Sequence, residues 1–146
     1  MDRYLEFVLN HYLLTLAFAV IAFLLIQDFI ETALRKFVPI SPVTAVTKMN
    51  TVDTVVLDVR EEPEFIKGHI EDAINIPLSK LNDHLKKLNH AQEKPIIVVC
   101  QTGTRSTAAC KILTENGFKQ LYSLIGGMQS WEENKLPIKI TAKDKS

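Results

Sequence analysis

"PIIVVCQTGTRSTAAC", residues 95–110, decides the fold. Ile96, Ile97, Val98 and Val99 run without interruption into Cys100. A short, continuous β-branched run bounded by turn signals reads as a strand. A polar turn follows, Gln101, Thr102, Gly103 and Thr104, and residues 105–116 suit a helix that ends at Gly117. Strand, tight turn and helix in that order belong to an α/β protein with a parallel sheet. Such sheets hold their ligands at the carboxyl ends of strands, next to helix N-termini.

Cys100 falls at that carboxyl end. If the loop curls around the sulfur, its N–H groups point inward and the helix adds the positive end of its dipole. Gly103 allows a backbone angle that a side chain would forbid. Arg105 brings a permanent charge and a fork of donors. Gln101, Thr102, Gly103, Thr104 and Arg105 are therefore expected to form a cradle for an anion centred on the sulfur. Such surroundings favour a thiolate, the nucleophilic form of cysteine. On this local pattern alone, a buried cysteine packing as a small hydrophobe is an equal alternative.

Working outward, the same strand–helix alternation repeats. "TVVLD" (54–58), "AINIP" (73–77) and "QLYSL" (120–124) read as further strands. "VPISP" (38–42) reads as a linker, in which Ser41 caps a short helix with Pro42 at its first position, running to about residue 49. "EEPEFIKG" (61–68) suggests one or two helical turns. Residues 79–88 have Leu81, Leu85 and Leu88 at the spacing of an amphipathic helix, and residues 128–133 start a last helix after Gly126 and Gly127. The expected fold is α/β, with a mainly parallel central sheet flanked by helices, over residues 41–140. Residues 141–146 read as a polar tail.

The chain has 146 residues, enough for one domain and an appendage. Its 17 basic and 17 acidic residues balance, which leaves no electrostatic footprint for nucleic acid. Two cysteines do not make a disulfide framework and fit a reducing compartment. The appendage is N-terminal, residues 1–37. From 7 to 27, "FVLNHYLLTLAFAVIAFLLIQ", no side chain is charged. At ~1.5 Å per residue this run makes a helix of roughly 30 Å, the thickness of a bilayer core. The flank "MDRYLE" is not basic and no small-residue cleavage pattern follows, so a membrane anchor is expected rather than a cleaved signal. Arg35, Lys36 and Lys48 follow the run and only Arg3 precedes it. That bias places the domain on the cytoplasmic side of an inner membrane, on a single-pass anchor.

Three motifs, "LDVREEPEFIKGHIEDAINIP", "CQTGTRS" and "LIGGMQSWEENKLP", occur in this order. Together they resemble the rhodanese-like (sulfurtransferase) domain, and with the apolar N-terminal run the chain is similar to the membrane-tethered single-domain rhodaneses of bacteria. The resemblance implies a cysteine that carries sulfane sulfur as a persulfide and passes it on. Cys100 matches the catalytic cysteine and residues 101–105 the active-site loop. It implies no metal and no organic cofactor; the covalent persulfide is the intermediate. Its partners would be a sulfur donor (thiosulfate, a small persulfide or a persulfidated protein) and a thiol or cyanide acceptor, the thiol of a protein included. The loop positions Gln101, Thr102 and Thr104 are uncharged, whereas relatives that use thiosulfate well tend to carry extra cations there.

The resemblance also places Asp58, Arg60 and Ser106 near the site as supporting residues. His69 reads as a structural hydrogen-bonding group, because a thiolate already held as an anion needs no base. Cys110 and Trp131 read as core residues, and "REEPE" (60–64) as a solvated face. Two alternatives stand beside sulfur transfer. One is a cysteine-dependent phosphatase or arsenate reductase of the same fold, whose loop has one residue more than the four between Cys100 and Arg105 here. The other is a membrane-anchored docking module.

Overall fold

The structure, a computed structural model, describes residues 2–141. Residues 142–146, most of the expected polar tail, lie outside the described part. The chain divides into two units, residues 1–35 and 36–146.

The N-terminal unit holds two helices, α1 (Asp2–Asn10) and α2 (Tyr12–Ala33). His11 separates them at φ −125° and ψ 38°, outside the helical region. Within α2 the stretch Tyr12–Ile30 is long and apolar enough to cross a bilayer, with a mean hydropathy of 2.4. The sequence places the apolar run at 7–27. The break at His11 moves its start onward by about a turn, because one continuous helix begins only at Tyr12.

The second unit is a five-stranded sheet in the order β1-β5-β4-β2-β3, parallel at every pairing. Its strands are β1 (Val38–Ile40), β2 (Val55–Asp58), β3 (Ile74–Asn75), β4 (Ile96–Val99) and β5 (Leu121–Leu124). The central β4 is buried along its whole length, as its unbroken apolar run requires. Helices α3 (Pro42–Thr51), α4 (Glu62–Lys67), α5 (Leu81–His84), α6 (Thr104–Glu115) and α7 (Gly127–Glu133) complete the unit. Ser41 caps α3, its hydroxyl accepting the Thr44 N–H at 3.2 Å.

The two-residue period of the strands sorts the core into two layers. Leu57, Ile96, Val98 and Cys100 pack with Ala109 and Leu113 of α6. Val56, Ile97 and Val99 pack on the other face with Ala45, Met128 and Trp131. Cys100 continues the alternation of β4, which puts its side chain in the layer beneath α6.

Two expectations are corrected. Residues 38–40, read as linker, are strand β1, paired with β5 in the register Val38↔Tyr122 to Ile40↔Leu124. A three-residue strand containing Pro39 carries no readable pattern. It is tolerated because β1 lies at the sheet edge, where a missing N–H costs no ladder bond. Residues 79–88, read as one amphipathic helix, are instead 3₁₀ turns at Leu78–Lys80 and Leu85–Ala91 on either side of the four-residue α5. Lys80 and His84 sit near φ −110° and ψ 0–10°, which breaks the helical ladder, while Leu81 and Leu88 stay fully buried.

Candidate active site

β4 delivers Cys100 to the carboxyl edge of the sheet, and the loop 101–103 turns at once into α6. Gly103 sits at φ +105°, a conformation that L side chains rarely adopt. This turns its N–H back toward the sulfur, donating to Cys100 Sγ at 2.9 Å. The Gly103 carbonyl is fixed from behind by the hydroxyls of Ser106, at 2.8 Å, and Thr107, at 3.1 Å. Ser106 is fully buried and meets the Ser123 hydroxyl at 3.0 Å, so the turn is tied to β5 as well.

The first turn of α7 holds the other side of the loop. The Met128 N–H donates to the Cys100 carbonyl at 2.8 Å and the Gln129 N–H to the Gln101 carbonyl at 3.1 Å. That approach is possible only because residue 127 is glycine: a β-carbon there would lie 2.2 Å from the Cys100 carbonyl oxygen. The sequence marks the Gly126–Gly127 pair only as a helix start; its role in seating the loop becomes visible when β4 and β5 stand side by side.

A buried ion pair supports Gln101. Asp58, at the end of β2, takes the Arg60 guanidinium at 2.7 Å, and the two side chains are 1% and 3% exposed. Arg60 also donates to the Gly68 carbonyl at 2.7 Å and to Gln101 Oε1 at 3.3 Å. Removing one member of such a pair costs about 3–5 kcal/mol, because the other charge is left buried alone. Asn75, which sequence reasoning missed, donates its amide to the carbonyls of Asp58 and Arg60 at 3.0 and 2.9 Å. No spacing rule connects β3 with that turn; only the β2–β3 pairing brings them together.

Arg105 is placed differently from the cradle expected of it. Both prongs of its guanidinium go to Glu64, at 2.9 Å each. Glu64 also accepts the Glu61 N–H at 3.1 Å, closing the first turn of α4. Thus "REEPE" is not merely a solvated face. Neither the cap nor its partner in the loop is expected from the sequence, because Glu61 is not of a preferred N-cap type and Arg105 lies 41 positions from Glu64. The bond to Arg105, chiefly, holds the Glu64 carboxyl down at about 2, against the opposing effect of partial burial. In return Glu64, and after it the nearby Cys100 sulfur, raises the Arg105 guanidinium above its ordinary value. Thr102 and Thr104 are exposed.

Cys100 itself is fully buried. Beside the loop opens a cleft of about 300 Å³ lined by Arg60, Glu64, Lys67, Gly68, Gln101 and Glu132. Cys110 is buried in α6, and burial, with the nearby Cys100, pushes its thiol up to about 12. His69 is buried, its Nδ1 2.8 Å from the Phe65 carbonyl and its ring stacked on Phe65 at 3.8 Å. Trp131 is core, donating to the Pro137 carbonyl at 3.0 Å. Among the described residues no group of side chains is arranged to hold a metal ion.

Residues 41–134 match the rhodanese-like domain family. The thiosulfate sulfurtransferase GlpE of Coxiella burnetii is 38% identical over 80 residues, 55% of this chain and 73% of the relative. The uncharacterized protein YibN of Escherichia coli is 29% identical over 139 residues, 94% of this chain and 97% of the relative, a span that includes the apolar N-terminal helix. The crystal structure of a rhodanese-related protein from Thermoplasma volcanium superposes with a TM-score of 0.64 at 35% identity, covering 70% of this chain and 98% of that one.

Proposed function

The chain belongs to the rhodanese-like domain family, and from that premise we propose that it is a sulfurtransferase working through a persulfide on Cys100. The observation that carries the reading is the 2.9 Å bond from the Gly103 N–H to Cys100 Sγ, which stabilises negative charge on that sulfur. In the first step the Cys100 thiolate attacks the outer sulfur of a donor. The new S–S bond forms on Sγ and the donor's own bond to that sulfur breaks, releasing the remainder as an anion. In the second step a thiolate or cyanide takes the outer sulfur and returns Cys100 to the thiolate. No metal and no organic cofactor enters either step. Cys100 is fully buried, so the donor must gain access to the sulfur before the first step.

Loop length weighs against the phosphatase alternative: four residues separate Cys100 from Arg105, one fewer than in the phosphatase loop, so the ring is smaller than a phosphoryl group needs. We further read the stretch Tyr12–Ile30 as a single membrane span with the domain on the cytoplasmic side, on the strength of Arg35 and Lys36 following it.

Mass spectrometry of the full chain after exposure to a sulfane donor tests the reading. A gain of one sulfur atom on Cys100, removed by cyanide, is the expected result. An unmodified Cys100 with every donor tried would overturn it.

A further inference from the structure

Resting on the sulfur-transfer reading, we propose that Glu64 sets donor selectivity: by clamping Arg105 it leaves the site mouth without net positive charge and favours low-charge persulfides over dianionic thiosulfate.

The charges around the cleft cancel. Two guanidinium groups border the loop, and each is matched by a carboxylate. Arg60 is held by Asp58 at 2.7 Å, and Arg105 by both oxygens of Glu64 at 2.9 Å. The remaining charged residues lining the cleft are Lys67 and Glu132, one of each sign. The loop itself adds no charge between Cys100 and Arg105. What remains for a sulfur anion is the inward Gly103 N–H and the dipole of α6, the equivalent of roughly half a positive charge. That suits a single negative charge shared along a persulfide. It does not balance the two charges that thiosulfate brings alongside a thiolate.

Both donors give balanced transfer, so the selectivity lies in binding and charge rather than in stoichiometry. With a persulfide, Cys100–S⁻ and R–S–SH give Cys100–S–SH and R–S⁻. With thiosulfate, Cys100–S⁻ and S–SO₃²⁻ give Cys100–S–S⁻ and sulfite. The second reaction gathers three negative charges at the mouth. A guanidinium released from Glu64 would face them.

Glu64 acts through Arg105 and is a positioning residue. Its replacement by glutamine keeps the shape and one acceptor oxygen but removes the charge. The test compares kcat/KM for thiosulfate and for cysteine persulfide in the full chain, purified in mild detergent. Glu64→Gln should raise the thiosulfate-to-persulfide ratio about five- to tenfold, as expected for one charge changed near a polar surface. The rise should appear chiefly in the thiosulfate KM and shrink with added salt. Glu132→Gln removes a carboxylate from the same cleft without touching Arg105 or the α4 cap, and should shift the ratio in the same direction. It decides the matter if Glu64→Gln does not fold. An unchanged or lowered ratio in the folded variants, or a rise insensitive to salt, would overturn the proposal. Failure of the parent to take sulfur on Cys100 from either donor would instead overturn the sulfur-transfer reading on which it rests.

Discussion

Gly127 lies so close to Cys100 that a β-carbon on residue 127 would sit 2.2 Å from the Cys100 carbonyl oxygen and 2.7 Å from the backbone of Gln101. Gly127 also has φ +57°, a conformation unfavourable for residues with side chains. The loop that presents the thiol is thus seated on the start of α7, and two backbone N–H···O hydrogen bonds hold it there. Gly127→Ala should destabilise the domain by at least about 2 kcal/mol and impair sulfur loading, since backbone cannot yield as a side chain would. Denaturant unfolding and persulfide mass spectrometry check both halves.

Cys100→Ser should abolish sulfur loading while changing the unfolding free energy by no more than about 1–2 kcal/mol. The hydroxyl is smaller than the thiol and still accepts from Gly103, so the loop keeps its shape, but it is no carrier of sulfane sulfur. Circular dichroism reports the fold, and sulfur transfer to cyanide reports the activity. Transfer that persists in this variant would remove Cys100 from the mechanism.

Cys110 should take no part. Burial holds its thiol up at about 12, so it remains protonated across the physiological range and is a poor nucleophile. Cys110→Ala should retain sulfur transfer and lose about 1 kcal/mol of stability from lost packing. A transfer rate that collapses in a folded Cys110→Ala protein would give this thiol a resolving role.

The Glu64–Arg105 pair should leave a signature in acid. The folded-state carboxyl of Glu64 lies at about 2, below its ordinary value of 4.5. A depressed carboxylate contributes stability that is full above the ordinary value and is lost as pH falls through the folded one. The stability gap between the parent and Glu64→Gln should therefore be constant above about pH 5 and close toward pH 2. The pair is about one-third exposed, so solvent screening keeps the gap modest. Urea unfolding across this range checks the sign: a gap that widens in acid would show that the pair does not stabilise the fold.

The N-terminal limit of the domain should fall before Phe37, which is buried in the core, with β1 following directly. A chain starting at residue 36 should fold without the apolar helices. A chain starting at Val38 should lose about 3 kcal/mol through the missing aromatic side chain. Comparing the urea midpoints of the two truncated proteins decides where the domain begins.

The central strand, the turn after it and the helix that follows were legible in residues 95–116, because a short β-branched run and a glycine-bearing turn are local properties. The same holds for the apolar N-terminal helix and for Cys100 at a strand end. Strand β1 was not legible: three residues including Pro39 carry no period, and only the free edge of β5 makes them a strand. The helix expected at 79–88 had the correct buried leucines but the wrong regularity, since burial of Leu81 and Leu88 does not require an unbroken ladder.

For the site, sequence determined which residues carry chemistry: a thiol, a turn able to aim an N–H at it, and an arginine at the start of the helix. Tertiary structure decided what those residues face. Arg105 and Glu64 stand 41 positions apart, as do Arg60 and Gln101, and Gly127 meets Cys100 from the far side of the loop. Such pairings depend on strand order and on the direction of each side chain in space. Local propensity and periodicity carry neither, so the charge balance around the sulfur emerges only when the parallel strands bring their carboxyl ends together.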